Sequence, residues 1–138
     1  MGEYRTTSKK QGEGRWDRGF PEGKLGKGVI LRHIHSTVNI MTRHIVMFRL
    51  DGSQESAGAA RRFCDALQSL PEVIPGLISM ETGINENPAE QWHVVLTATL
   101  RSFADIAQYA SHPAHVAAAA IIAPYRTDRA CVDYNLTD

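Results

Sequence analysis

The feature that most limits what this chain can fold into is a change of composition at Met41. All four lysines (Lys9, Lys10, Lys24, Lys27) and seven of the eleven glycines precede it, and apolar residues are sparse before Val29. Residues 1–40 carry eight basic and four acidic groups, and residues 41–138 carry seven and eleven, so the net charge of zero conceals segments of +4 and −4. A segment so poor in apolar side chains cannot offset the entropy lost on ordering. Residues 1–40 are therefore expected to be a disordered, solvated tail, or an N-terminal extension assigned upstream of a start at Met41. The basic groups are dispersed among acids, which argues against a nucleic-acid-binding arm. The segment lacks the apolar run of a signal peptide, and its acids disfavour an organelle transit peptide. No window approaches the roughly 18 consecutive apolar residues of a membrane span. The fold has to come from residues 41–138, about the size of one small domain, and a cytoplasmic location is expected. Cys64 and Cys131 are too few for a disulfide framework and have no metal-like spacing.

Within that domain the hydrophobic period switches between two and 3.6. Arg43–Leu50 alternates and is rich in β-formers, which predicts a strand. Asp51-Gly52-Ser53 breaks it, and Ser53 can cap a helix reaching about Leu70, with Ala60, Phe63, Cys64, Leu67 and Leu70 at helical spacing. The turn residues Pro71 to Gly76 end that helix. Leu77–Ile84 reads as a second strand, and Trp92–Leu100 as a third, the strongest of all. Ser102 is expected to cap a short helix to about Ala110, Pro113 to open another to about Ala123, and Arg129–Tyr134 to form the last strand. The order βαββααβ points to an α+β fold with a ferredoxin-like sheet.

Helices can cover only one face of such a sheet, and both faces here carry apolar side chains. Trp92, Val94, Leu96, Ala98 and Leu100 alternate onto one face, and His93, Val95, Thr97 and Thr99 onto the other. The first set is expected to meet a second subunit, giving a twofold homodimer whose sheets pack into a dimeric α+β barrel. His44, Phe48, His93 and Val95 are then expected to lie under the helices and to line a substrate pocket.

The residues able to run acid–base chemistry near neutral pH concentrate at Tyr109-Ala110-Ser111-His112-Pro113-Ala114-His115. With Pro113 as the first helical residue, His115 falls in the first turn, where the positive end of the helix disfavours imidazolium. A neutral imidazole suits a general base that abstracts a proton beside a carbonyl. Tyr109 would donate a hydrogen bond to the enolate oxygen that develops. Each residue has a plainer reading: His112 as a helix cap, His115 tied to a loop carbonyl, Tyr109 as bulk with a polar handle, and His44 and His93 as core histidines bonded to one another. Metal and cofactor sites are not expected. The domain holds no His-x-His strand pair or His-x3-His helix pair, the alternating His33 and His35 belong to the tail, and no glycine-rich phosphate loop or nucleophile elbow occurs.

Four spaced segments resemble one family. Arg43-His44-Ile45-Val46-Met47-Phe48, Leu70 to Leu77, His112-Pro113-Ala114-His115-Val116 and Val132-Asp133-Tyr134 are similar to the stress-responsive α/β-barrel, or Dabb, domain, and the resemblance covers residues 41–138. It implies a ferredoxin-like homodimeric barrel but no single activity, since members include stress-associated proteins and a plant polyketide cyclase that works without a cofactor. By that likeness Tyr109 and His115 fall on the cyclase's catalytic tyrosine and histidine, and His44 and His93 on its other pocket histidines. The stretch Val116 to Ala120 lacks the aromatic and glycine residues that the cyclase has there, so the pocket should differ in shape. The leading expectation is a homodimer binding a small hydrophobic carbonyl or polyketide-like molecule, with cofactor-free cyclase or lyase chemistry. The alternatives are a non-enzymatic stress-response protein with structural His and Tyr residues, and a cofactor-free monooxygenase-like barrel. Neither nucleic acid nor membrane is an expected partner.

Overall fold

The computed structural model describes residues 40–137; the expected tail, with His33 and His35, lies outside the described residues except for Ile40. The elements are β1 (Thr42–Leu50), α1 (Gln54–Gln68), a 3-10 turn (Leu70–Glu72), β2 (Leu77–Ile84), β3 (Val94–Leu100), α2 (Asp105–Ser111), α3 (Pro113–Ile122) and β4 (Arg126–Asn135). The order is the one expected from the sequence. Ser53 caps α1, its hydroxyl accepting from the Ser56 N–H at 3.1 Å, which satisfies one of the helix's orphan donors. Ser102 does not cap α2: Ala104 holds that position, and the Ser102 hydroxyl donates instead to the Asp105 carboxylate at 2.9 Å. β3 begins two residues later than Trp92, and β4 extends beyond both of its expected ends.

The four strands form one antiparallel sheet in the order β2-β3-β1-β4. β1 sits at the centre because its alternating apolar residues can be buried against neighbours on both edges. In the β1–β3 register His44 faces Ala98, Val46 faces Leu96 and Phe48 faces Val94. These residues, with Thr42, Leu50 and Leu100, are buried beneath the helices. Phe48 meets Phe63 of α1 edge to face, ring centroids 5.5 Å apart, and Ala59, Ala60, Leu67, Ala118 and Ile122 complete the layer.

This register reverses the expected faces of β3, while His44 and Phe48 of β1 lie beneath the helices as expected. Val94 and Leu96 belong to the helix-covered core rather than to an open surface, and Val95 pairs with Met47 on the opposite face. The expectation failed because alternation separates two sets of residues without saying which set the helices cover. In β3 both sets are apolar enough to serve. Ile45, Met47, Val95, Ala130, Val132 and Tyr134 make up the apolar part of the uncovered face; Val132 and Tyr134 are 60% and 41% exposed.

Gly76 fixes where β2 enters this core. Its φ of +86° is a left-handed conformation, and a Cβ there would come within 2.8 Å of the Asp105 side chain. Its carbonyl accepts from the Arg101 N–H at 2.9 Å, clipping the start of β2 to the end of β3. Only glycine meets both requirements.

Candidate functional site

The junction between α2 and α3 is built by two histidines that serve the backbone. His112 ends α2 and caps α3, with its Nδ1 accepting from the Ala114 N–H at 3.1 Å. Pro113 follows as the first residue of α3, where its missing N–H costs nothing. One turn on, His115 Nδ1 lies 2.9 Å from the Ala110 carbonyl. A carbonyl only accepts, so Nδ1 carries the proton, and in the neutral ring Nε2 is the free base. Partial burial pushes the His115 pKa below its ordinary value, more than the Ala110 bond raises it, and His44 and Arg129 add to the lowering. The ring is therefore neutral around pH 7.

Tyr109, on the last turn of α2, is buried to 1% exposure between two histidine rings. Its ring centroid lies 4.5 Å from that of His115 and 5.6 Å from that of His44. Its hydroxyl has no hydrogen-bond partner among the described residues. Burial pushes the phenol pKa far up, opposed by Arg129, so the group remains a neutral donor. A buried hydroxyl without a partner costs about 1–3 kcal/mol, a cost that a bound molecule or water would relieve.

Beneath Tyr109, His44 of β1 faces Asp133 of β4 across the strand pair. His44 Nδ1 and the Asp133 carboxylate are 2.5 Å apart, a short charge-assisted bond that fixes the ring and leaves Nε2 free. Cys131, two residues along the same face of β4, places Sγ 3.5 Å from His44 Nδ1 and 3.8 Å from Asp133 Oδ1. Burial, reinforced by Asp133, pushes the thiol pKa up. Sequence reasoning missed both Asp133 and Cys131 as site residues. The signal was present in Cys-x-Asp, whose side chains share one strand face, but it acquires meaning only once β4 is paired with β1 in this register.

The structure therefore brings together Tyr109, His115 and His44 from the expected set. His93 is not with them, and the expected bond between His44 and His93 is not formed. The His93 N–H donates to the Phe48 carbonyl at the far end of β1, and its Nδ1 accepts from the Leu50 N–H at 3.0 Å. Phe48 is on the face of His44 but belongs to the packed core, and Val95 lies on the uncovered face. Two cavities stand apart from the Tyr109 cluster. One, of about 380 Å³, is lined by Met47, Trp92 and Val95 among others; the second, of about 250 Å³, lies between His93 and the start of α1. No helix among the described residues is long and apolar enough to cross a membrane.

A family model for the stress responsive A/B barrel domain matches residues 42–136. Among solved structures, a dimeric protein of unknown function with a ferredoxin-like fold from Bacteroides fragilis is 37% identical, with TM-score 0.67; the match covers 70% of this chain and 96% of that one. A dimeric ferredoxin-like protein of unknown function from Thermobifida fusca is 30% identical, with TM-score 0.61 and coverage of 72% and 93%. A hydroxynitrile lyase from Passiflora edulis has TM-score 0.58 and coverage of 72% and 96%, and at 19% identity the likeness is one of fold. No curated protein matches the chain.

Proposed function

Because the chain belongs to the stress-responsive A/B barrel family, we propose that it is a homodimeric barrel that binds a small hydrophobic carbonyl compound, polyketide-like in class, and moves a proton on it without a cofactor. The observation that carries this reading is the Tyr109 hydroxyl, buried without a partner among the described residues between the rings of His44 and His115. A substrate carbonyl oxygen would accept the hydrogen bond that this hydroxyl lacks among the described residues. His115 Nε2 would take a proton from the adjacent carbon, the C–H electrons forming the enolate double bond and the carbonyl oxygen gaining negative charge. Tyr109 would stabilise that charge as donor. His44, oriented by Asp133, has Nε2 available to accept from a substrate hydroxyl.

The dimer is supported by the uncovered face, where Ile45, Met47, Val95, Val132 and Tyr134 form a patch that water covers poorly. On the same face Arg43 Nε is buried without a partner among the described residues, a donor that a second sheet can satisfy. The Bacteroides fragilis and Thermobifida fusca relatives are both described as dimeric.

One observation favours the non-enzymatic alternative: neither of the two cavities touches Tyr109 or His115, and both His112 and His115 already serve backbone groups. Thermal-shift screening against carbonyl and phenol compounds separates the readings. The enzymatic reading expects a ligand that raises the wild-type midpoint, raises that of Tyr109→Phe less, and is turned over roughly 10²–10⁴-fold more slowly by His115→Ala. If no compound shifts the wild type and both substitutions lower its midpoint, the two residues are structural.

A further inference from the structure

We infer that His44, Cys131 and Asp133 form a site for one first-row divalent metal ion of the zinc and cobalt class. The three offer an imidazole nitrogen, a thiol sulfur and a carboxylate oxygen within 4.8 Å of one another, contributed by two adjacent strands of a rigid sheet. The spacing fits tetrahedral coordination. With bonds of roughly 2.0–2.1 Å to nitrogen and oxygen and about 2.3 Å to sulfur, tetrahedral ligands lie about 3.5 Å apart for an N–S pair and somewhat less for N–O. Nδ1 to Sγ is 3.5 Å, and Sγ to Oδ1 is 3.8 Å. The Nδ1–Oδ1 separation of 2.5 Å is that of two atoms sharing a proton. An ion entering displaces that proton and spreads the pair by under an ångström, a movement that the partly exposed Asp133 side chain at the rim can absorb.

The donor set selects the ion. A thiolate and a carboxylate supply two negative charges to balance a divalent cation, and a thiolate beside imidazole disfavours magnesium and calcium, which seek oxygen. Three protein ligands leave a fourth position for water, the pattern of open rather than closed zinc sites. Tyr109, whose ring centroid lies 5.6 Å from that of His44, borders the site. Arg129, two residues before Cys131 on the same strand face, opposes the ion's charge and moderates its affinity.

Cobalt(II) titration of the metal-stripped full chain tests this, because a Co–thiolate bond gives a near-ultraviolet charge-transfer band that histidine ligation alone does not. The band separates this site from any cobalt taken by His33 and His35. The expected result is one equivalent of cobalt, the charge-transfer band and the visible bands of four-coordinate cobalt. Cys131→Ser should abolish the near-ultraviolet band, Cys64→Ala should retain it, and Asp133→Asn should weaken binding by roughly tenfold or more. Circular dichroism checks that each variant is folded; if the serine variant is not, wild type, Cys64→Ala and Asp133→Asn carry the test. Absence of the band in wild type, its survival in folded Cys131→Ser, or its loss in Cys64→Ala overturns the site. The titration reads the metal alone, so its failure leaves the ligand-binding reading intact.

Discussion

The two faces of this sheet are made from the same strands and nearly the same residue types, yet they meet different fates. On the covered face Thr42, Val46, Leu96 and Ala98 are almost wholly buried by the domain's own helices. On the other, Val132 and Tyr134 stand open, while Ile45, Met47 and Val95 are screened only by their neighbours. Burial by one's own helices stabilises the monomer. Apolar surface left uncovered stabilises nothing until a second sheet arrives. Polar groups follow the same division: the covered face holds the His44 ring and the Tyr109 hydroxyl in a low-dielectric layer where each interaction counts more, with Asp133 at its partly exposed rim, and on the other Arg43 Nε has no partner among the described residues.

The sharpest way to break this comparison is to place a charge on each face in turn. Leu96→Arg puts an unpaired guanidinium among Val46, Phe48 and the helices, a cost of several kcal/mol, of the order of a small domain's whole stability. Far-UV circular dichroism should show an unfolded or aggregated protein; a folded monomer would return Leu96 to the open face. Val132→Arg makes the same change on the other side of the sheet. It should leave the monomer folded and shift light scattering from dimer to monomer, because only the proposed interface is lost. An unchanged dimer would mean that assembly uses another surface. Tyr109→Phe is smaller again. Removing a buried hydroxyl that has no partner among the described residues should change stability by less than about 1 kcal/mol, or raise it, in chemical denaturation. A loss of several kcal/mol would show that the hydroxyl has a structural partner.

The contrast between the faces also marks how far the sequence could be read. Element order, the Ser53 cap, the His112 cap and the helical spacing of Phe63, Cys64 and Leu67 were all legible, because each is set by neighbours within a few residues. The choice of buried face on β3 was not, although on β1 the side of His44 and Phe48 was read correctly. It depends on which side α1 and α3 pack, and an alternating strand with two apolar faces carries no local sign of that. The site divided in the same way. Tyr109 and His115 lie six residues apart across one helix junction and could be paired by inspection. His44, Cys131 and Asp133 meet only through the β1–β4 register, about ninety residues apart in the chain. His93 illustrates the converse: its residue type suited the site, but its position at the far end of the strand pair did not.

The smallest predicted effect concerns His115, at the margin of the covered layer. Its pKa is lowered in the folded protein, chiefly by burial, from an ordinary value of 6.5. Between the lowered value and 6.5 the unfolded chain binds more protons than the native one, so stability rises with pH through that window. The contribution is fully present above about pH 7 and is lost as pH falls toward the folded pKa. His115→Asn keeps a donor for the Ala110 carbonyl but removes the titration. With metal ions chelated, the stability of wild type relative to this variant should be flat above pH 7 and decline as pH drops below 6.5; the half-exposed ring keeps the decline shallow. Carboxylates titrate in both proteins and cancel in the difference. A difference that instead grows in favour of wild type on acidification would mean that His115 gains a proton on folding. It would then be a cation held by a partner, not a base kept neutral by the layer it borders.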